Sequence, residues 1–361
     1  METHTSALRR WLLDRPQITR GPHAGGVVGG RGASTAGEYV YPEITGYYLS
    51  WLAFVAESEP DTDEDIAQRY GAAAYWLQRE LGRPGGPRTR DYLGPSAEPD
   101  VDWRNAALFA FDLGMVHRGL AATGAPDLPA VRRARADTAA LLDSLRDADG
   151  SWLSCLPHAN AGALPDRWST VPGPHLLKVA GGALALAGPG EDSTTVRAAR
   201  ATLARHAPGL KGRLPAMSHP ALYALEGLLQ AEVAGHSEYH DELLHGYHEL
   251  LDHAVGGVLH EAAADPSSRV RSDVLAQALR VGAVLAGRGE LDGRHADRLD
   301  EIARVLISHV DPHGGTWFDR TGNAGARYNT WCAMFAHQAL AYFDRIKAGQ
   351  TIPENWIRLL V

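Results

Sequence analysis

The sequence predicts an all-α fold in which helical hairpins pack side by side, one helix of each pair facing a shared centre and the other facing outward. Helices that are apolar and small almost all the way round alternate with amphipathic, charged ones about six times along the chain. Few segments show the alternation with a period of two that strands require. Two of the outer segments also end in related turns, an acidic residue followed by Gly and then Trp.

Taken in order, the first 37 residues read as an N-terminal helix (Ser6 to Arg15) and a glycine-rich stretch, residues 21–37, which is either a mobile loop or a segment lying over a site. Its GGxxGG is no dinucleotide fingerprint, because no convincing strand precedes it. The inner helices are Ile44 to Val55, Ala106 to Leu120, Leu176 to Ala187, Ala221 to Ala234, Val274 to Ala286 and Thr330 to Phe343. Between them run the outer helices Asp63 to Leu81, Pro129 to Arg146, Thr194 to His206, Glu238 to Val255 and Arg294 to His309. A sixth outer helix comes either from Ser6 to Arg15 or from the segment after Pro353. Small residues such as Ala180-Gly181-Gly182-Ala183 let inner helices approach closely. The expected division is therefore 1–37, a helical body over 38–350, and a tail over 351–361. A right-handed solenoid satisfies the same pattern, since closure is not written in it.

Composition narrows the function classes. A chain of 361 residues, 45% hydrophobic, has ample material for a core, as one large domain or two ordinary ones, and is not disordered. With 35 basic against 43 acidic residues, a net charge of -8, it has no electrostatic footprint for nucleic acid or an anionic membrane. Cys155 and Cys332 are the only cysteines, too few for a disulfide scaffold or a four-cysteine zinc site. Met1 to Arg20 lacks the apolar run of a signal peptide, and Val179 to Ala187 is too short to span a bilayer. The expectation is a soluble, cytoplasmic protein, and its Ala, Arg and Gly usage suggests a bacterial genome.

The two turns are Arg146-Asp147-Ala148-Asp149-Gly150-Ser151-Trp152 and Val310-Asp311-Pro312-His313-Gly314-Gly315-Thr316-Trp317. In each, glycine ends the helix in the left-handed conformation and the tryptophan folds back over the hairpin. With these turns the chain resembles the α/α-toroid proteins, the group that holds squalene-hopene-type cyclases, prenyltransferase β subunits, and six-hairpin glycosidases, lyases and sugar epimerases. The turns look like degenerate versions of the cyclases' Gln-Trp repeat. The resemblance covers roughly residues 40 to 345 and implies an (α/α)6 toroid whose inner-helix N-termini converge on a substrate mouth. It does not fix a reaction.

If so, the first turns of the inner helices line that mouth. They carry Tyr41, Glu43 and Thr45; Trp103, Arg104 and Asn105; His175 and Lys178; His219, Tyr223 and Glu226; Arg271, Asp273 and Gln277; and Arg327, Tyr328, Asn329 and Trp331. A scaffold would begin such helices with simple Ser or Asp caps. His219, Tyr223 and Glu226 share one helical face, and a polar stripe on a buried helix is costly unless it lines a cavity. Tyr41-Pro42-Glu43 also reads as an ordinary helix start, and Arg280 as the partner of a buried acid. His175 and Lys178 either neutralise a substrate anion or pair with Glu226.

Two other chemistries have weaker footing. Zinc within such a ring needs Cys and His ligands, and Cys155 with His158 or Cys332 with His337 do not form the adjacent Cys-His-Gly of the zinc-holding toroids. His240, His245, His248 and His253 fall on a polar outer helix, where solvation explains them. Asp61-Thr62-Asp63-Glu64-Asp65-Ile66-Ala67 resembles the acid motif of class II terpene cyclases, with Glu64 in place of the middle Asp and no Thr. The leading expectation is a carbohydrate-active enzyme using acid-base chemistry, of epimerase/isomerase or glycoside hydrolase/lyase type. There His219, Glu226 and His175 exchange protons, Glu43 or Asp273 is the opposing carboxylate, and Arg271 and Lys178 hold an anionic group. Tyr41, Trp103, Arg104, Tyr223, Gln277, Tyr328, Asn329 and Trp331 would bind the substrate. The alternatives are a terpenoid or prenyl-transfer toroid that depends on Asp63 and Asp65, and a non-catalytic glycan- or peptide-binding scaffold. No cofactor is expected. The partners expected are a small molecule and, on the outer faces, a second copy in a homodimer.

Overall fold

Burial separates the two helix types in a computed structural model that describes residues 4–31, 38–59, 65–94, 102–122, 128–319 and 328–361. The inner helix α10 (Ser272–Gly287) buries 14 of its 16 residues, so it must be surrounded by other helices. The outer helix α11 (Gly293–Ser308) buries only five of 16: His295, Leu299, Ile302, Ala303 and Leu306, which repeat at i, i+4, i+7, i+8 and i+11 and form a single stripe. Among the described residues the inner series is α2 (Pro42–Ser58), α4 (Ala110–Ala121), α6 (Leu177–Ala185), α8 (Ser218–Val233), α10 and α12 (Thr330–Lys347). The outer series is α1 (His4–Asp14), α3 (Asp65–Leu81), α5 (Pro129–Ser144), α7 (Thr194–His206), α9 (His240–Asp252) and α11. Each inner helix packs on the outer helix that follows it, and α12 packs on α1. The sixth outer helix is thus the N-terminal one.

Inner neighbours run α2, α4, α6, α8, α10, α12 and back to α2, which closes the ring and excludes the open solenoid. At the seam Trp51 Nε1 donates to His337 Nδ1 at 3.2 Å, and Tyr47 meets Phe335 edge-on with centroids 5.2 Å apart. Glycine sets the inner spacing where helix backbones touch. A Cβ on Gly181 of α6 would stand 2.0 Å from the Gly227 carbonyl oxygen of α8, and one on Gly119 of α4 would stand 2.2 Å from that of Gly46 in α2. No side chain fits there.

Two boundaries differ from expectation. The stretch from Ala106 is not helical throughout. Trp103–Ala106 is a 3-10 turn whose Arg104 amide donates to the Asp102 side chain, and β4 (Ala107–Phe109) pairs antiparallel with β5 (Cys155–Pro157). Only then does α4 begin. Three consecutive buried apolar residues suit a strand and a helix equally, so the local pattern cannot separate them. The expected tail over 351–361 is also part of the core. After α13 (Glu354–Arg358), Leu359, Leu360 and Val361 are buried at the ring's far end. Arg358 donates to the carbonyls of Ala185 and Val233, capping the C-terminal ends of α6 and α8.

The described part of the glycine-rich segment runs over the opposite end. Val28 bridges Val40, β1 (Gly30–Arg31) pairs with β6 (Tyr328–Asn329), and β2 (Tyr39–Val40) pairs with β3 (Asp91–Tyr92). Gly25, at φ +95°, lies so close to α3 that a Cβ would meet the Ala72 carbonyl oxygen at 2.1 Å. Both predicted turns have glycine in the left-handed region, Gly150 at +85° and Gly314 at +90°, and Trp152 is fully buried. Among the described residues no helix is long and apolar enough to cross a membrane. Overpacking a rigid helix contact costs about 1–3 kcal/mol. Gly119→Ala and Gly227→Ala should each lower the unfolding free energy by that amount in a urea titration, whereas Gly162→Ala, in open space, should leave the midpoint in place.

Candidate active site

The ring opens at the N-terminal ends of its inner helices into a cavity of about 490 Å³. Five inner helices and the loop before α6 contribute its walls, through Glu43, Asp112, Trp168, His219, Arg271 and Trp331 among others. Most of those helices begin without the Ser or Asp cap found on two of the outer ones, although the outer helices α5 and α9, which start from Leu128 and Tyr239, lack one too. α7 and α11 carry Ser193 and Asp292 as side-chain caps, whereas α2, α4, α8 and α10 start from Tyr41, Phe109, Met217 and Arg271 with no capping side chain. Asn329, which opens α12, both lines the cavity and caps its helix by accepting from the Cys332 amide at 2.9 Å.

One wall holds an acid pair. Glu43, in the first turn of α2, and Asp112, in the first turn of α4, are hydrogen-bonded to each other. Tyr41 Oη donates to Asp112 Oδ1 at 3.2 Å and Thr89 Oγ1 to Oδ2 at 3.3 Å. Burial pushes the Glu43 carboxyl up to about 7, and burial together with the Glu43 charge raises Asp112 well above the usual carboxylate range. Two buried carboxyls in contact cannot both ionise cheaply, so the pair retains a proton.

Across the ring stands His219, on α8, diametrically opposite α2 in the closed order of inner helices. Its Nδ1 lies 2.7 Å from Gln277 Oε1. The direction of that bond follows from the next one, because Gln277 Nε2 donates to Glu226 Oε2 at 3.1 Å and the carboxylate can only accept. The amide is thereby oriented with Oε1 toward the imidazole, Nδ1 carries the proton, and Nε2 is left with the lone pair. Burial lowers the His219 pKa to about 4, so the ring is neutral at pH 7. Asp273 Oδ2 lies 3.6 Å from the same Nδ1. Burial works against the Asp273 carboxylate, but Arg271 overrides it and holds the pKa down to about 2.

Below the cavity floor lies an ionic cluster. Glu226 is fully buried, accepts from Lys178 Nζ at 2.5 Å, and is bonded by Arg280 Nη2. Burial opposes its ionisation, yet Arg280 and Lys178 lower its pKa. Arg280 continues to Gln338 Oε1 at 3.0 Å, and Lys178 to the Val361 oxygen at 2.9 Å.

Several expected site residues therefore have other positions. Glu226 and Lys178 pair with each other beneath the cavity, and neither lines it. His175 is buried behind Trp168, with ring centroids 5.1 Å apart, and burial holds its pKa at about 3. Asp273 and Gln277 stand behind Arg271 and His219 and orient them. Arg271 is bidentate to Asp273 and 2.8 Å from Glu261 Oε1. Tyr328 faces an adjoining groove and packs against Trp317 with the rings tilted at 42° and their centroids 4.4 Å apart. Tyr41, Glu43, Trp103, Arg104, His219, Tyr223, Arg271, Asn329 and Trp331 do line the cavity. Asp112, Arg90, Trp168 and Arg167 line it too and were not singled out from the sequence. The apolar pattern starts α4 at Ala106, four residues before the helix begins at Ala110, and so hides Asp112; an acid in the first turn of an apolar helix is the signal. Trp168 and Arg167 sit in a loop without periodicity.

The cyclase-like acids Asp61 to Glu64 lie outside the described residues, and Asp65 pairs with Arg69 at 2.7 Å on an outer helix. Among the described residues no group of three or more His, Cys, Asp or Glu is placed to hold a metal ion.

No protein-family profile and no curated protein matches the sequence. Solved structures do. A D-mannose isomerase superposes with a TM-score of 0.72 at 11% identity over 96% of each chain. Cellobiose 2-epimerase from Bacillus thermoamylovorans B4167 gives 0.68 at 11% identity over 95% of this chain and 99% of that one. The unsaturated glucuronyl hydrolase of Bacillus sp. GL1 gives 0.61 at 14% identity over 95% and 94%. The chain is an α/α toroid. At these identities the likeness is one of architecture, and the chemistry of this toroid rests on its own side chains.

Two outcomes separate structural from chemical roles. Glu226→Ala strands two cations in the core and should cost about 3–5 kcal/mol of stability, read from a denaturant midpoint. Glu43→Gln should act through pH. The wild-type carboxyl has a raised pKa, so its contribution to stability is full below about 4.5 and is lost as pH rises through about 7. Melting curves should therefore show the variant gaining on the wild type across that window.

Proposed function

We propose that this toroid is a carbohydrate-active enzyme of the isomerase or epimerase kind, working by proton transfer beside a sugar carbonyl. One observation carries the reading: a proton-bearing acid pair, Glu43 and Asp112, lines the same cavity as a neutral imidazole whose Nε2 is left with the lone pair. In this reading His219 Nε2 removes the proton from the carbon next to the carbonyl of an open-chain sugar. The acid pair delivers a proton to the carbonyl oxygen, giving an enediol. Returning a proton to either carbon yields the isomer or epimer and restores both groups. The ionised Asp273 stabilises the imidazolium while it exists, and the rings of Trp168, Tyr223 and Trp331 offer faces for the apolar side of a pyranose.

Glycoside hydrolysis fits less well. It calls for two carboxyl groups flanking the bond at about 5–5.5 Å or about 6.5–9.5 Å, so that one protonates and the other attacks or activates water. Here Glu43 and Asp112 touch each other, and the next carboxylate, Asp273, is clamped by Arg271. The likeness to a D-mannose isomerase and a cellobiose 2-epimerase agrees with the isomerase reading at the level of fold.

Incubation with a panel of aldoses in D₂O tests it. Proton NMR should show deuterium entering at the carbon beside the carbonyl, and His219→Ala should reduce that rate by at least a hundredfold. Activity should fall as pH rises through about 7, where Glu43 ionises and the acid pair gives up the first of its protons, and as pH falls through about 4, where His219 gains one. Release of reducing ends from a glycoside without deuterium incorporation would replace this reading with hydrolysis.

A further inference from the structure

Three arginines converge on one rim of the cavity, at the Glu43–Asp112 side. Arg104 Cζ lies 4.6 Å and Arg167 Cζ 5.8 Å from the centre of the Trp103 indole, and Arg90 Cζ lies 4.4 Å above the Tyr39 ring. All five residues line the cavity. Among the described residues, Asp102 is the carboxylate that answers this cluster, 3.0 Å from Arg104 Nη1 and 3.5 Å from Arg90 Nη1. Arg167 has no ion pair among the described residues, and its guanidinium is exposed at the mouth.

That excess of positive charge is not the drift of a basic surface, because the chain carries a net charge of -8. The neighbouring acids offset it little below about pH 7, since burial keeps Glu43 protonated up to there and raises Asp112 as well. The cations that the sequence suggested for an anion cannot serve: Lys178 is bound to Glu226, and Arg271 to Asp273 and Glu261. A planar guanidinium placed over an indole face can still present its N–H edge for a two-point contact with an oxyanion.

We propose that the ligand of this cavity is an acidic sugar, whose carboxylate or phosphate seats on Arg167 and Arg104 against Trp103. This rests on the sugar reading above and names the class of sugar. Bound there, the anion is held on the acid-pair side, with the ring reaching toward His219.

Isothermal titration of the purified protein at low salt with D-glucuronate, D-glucose 6-phosphate and D-glucose tests the proposal. At least one acidic sugar should bind ten times more tightly than glucose, and the stronger of the two identifies the anion. Arg167→Gln and Arg104→Gln should remove that preference, and Arg167→Lys should retain part of it, because the charge survives but the planar edge does not. Circular dichroism melts of the same variants should match the wild type. Equal binding of acidic and neutral sugars, no binding of either acidic sugar, or a preference that persists in the double Gln variant would overturn it. The two readings fail separately. Glucuronate bound without deuterium exchange counts against isomerisation and leaves the acidic sugar standing, whereas exchange into glucose alone does the reverse.

Discussion

A single carboxylate organises the ring. Glu226 projects from α8 and accepts from Lys178 on α6 and from Gln277 and Arg280 on α10, with no exposure to solvent. An isolated charge in that position would be strongly unfavourable; paired with two cations it requires the three helices to stand at fixed distance and rotation. Arg280 extends the constraint to Gln338 of α12, whose amide in turn meets the Leu359 carbonyl and the Val361 amide. Four inner helices and the closing segment thus answer to one group. The same carboxylate reaches the cavity indirectly, because by fixing the Gln277 amide it decides which nitrogen of His219 carries the proton.

The alternation of all-round apolar and one-faced helices, read along the chain, is enough to place eleven helices in two layers, because the number of buried faces is a property each sequence segment carries alone; the twelfth, α1, is assigned only by its packing on α12. Closure is not such a property. It depends on the fit between α12 and α2, through Trp51 and His337, which are 286 residues apart. The C-terminal segment is similar: Leu359, Leu360 and Val361 look like the end of a tail until the hole they fill is known.

At the site, the aromatic and polar openings of the inner helices are legible because such residues are poor choices for a purely structural helix start. What the residue types cannot convey is which polar groups satisfy one another. His219 and Glu226 share a helical face, yet one meets the cavity and the other meets Lys178. Glu43 reads as an ordinary first-turn acid until the ring closes over it: burial is what raises its pKa, and its charge in turn raises that of Asp112, which comes from a different helix. Depth along the ring axis, rather than residue type, separates the cavity wall from its foundation.

The far end of the ring is stoppered. Arg358 ties off two helix ends there, and Leu359 to Val361 fill the axis. The cavity is therefore a blind well and not a tunnel. Whatever enters must leave by the same opening, in the reverse direction, so product departure and the next arrival compete for one doorway. Among the described residues, a chain entering the cavity would meet that closed end rather than thread through the ring.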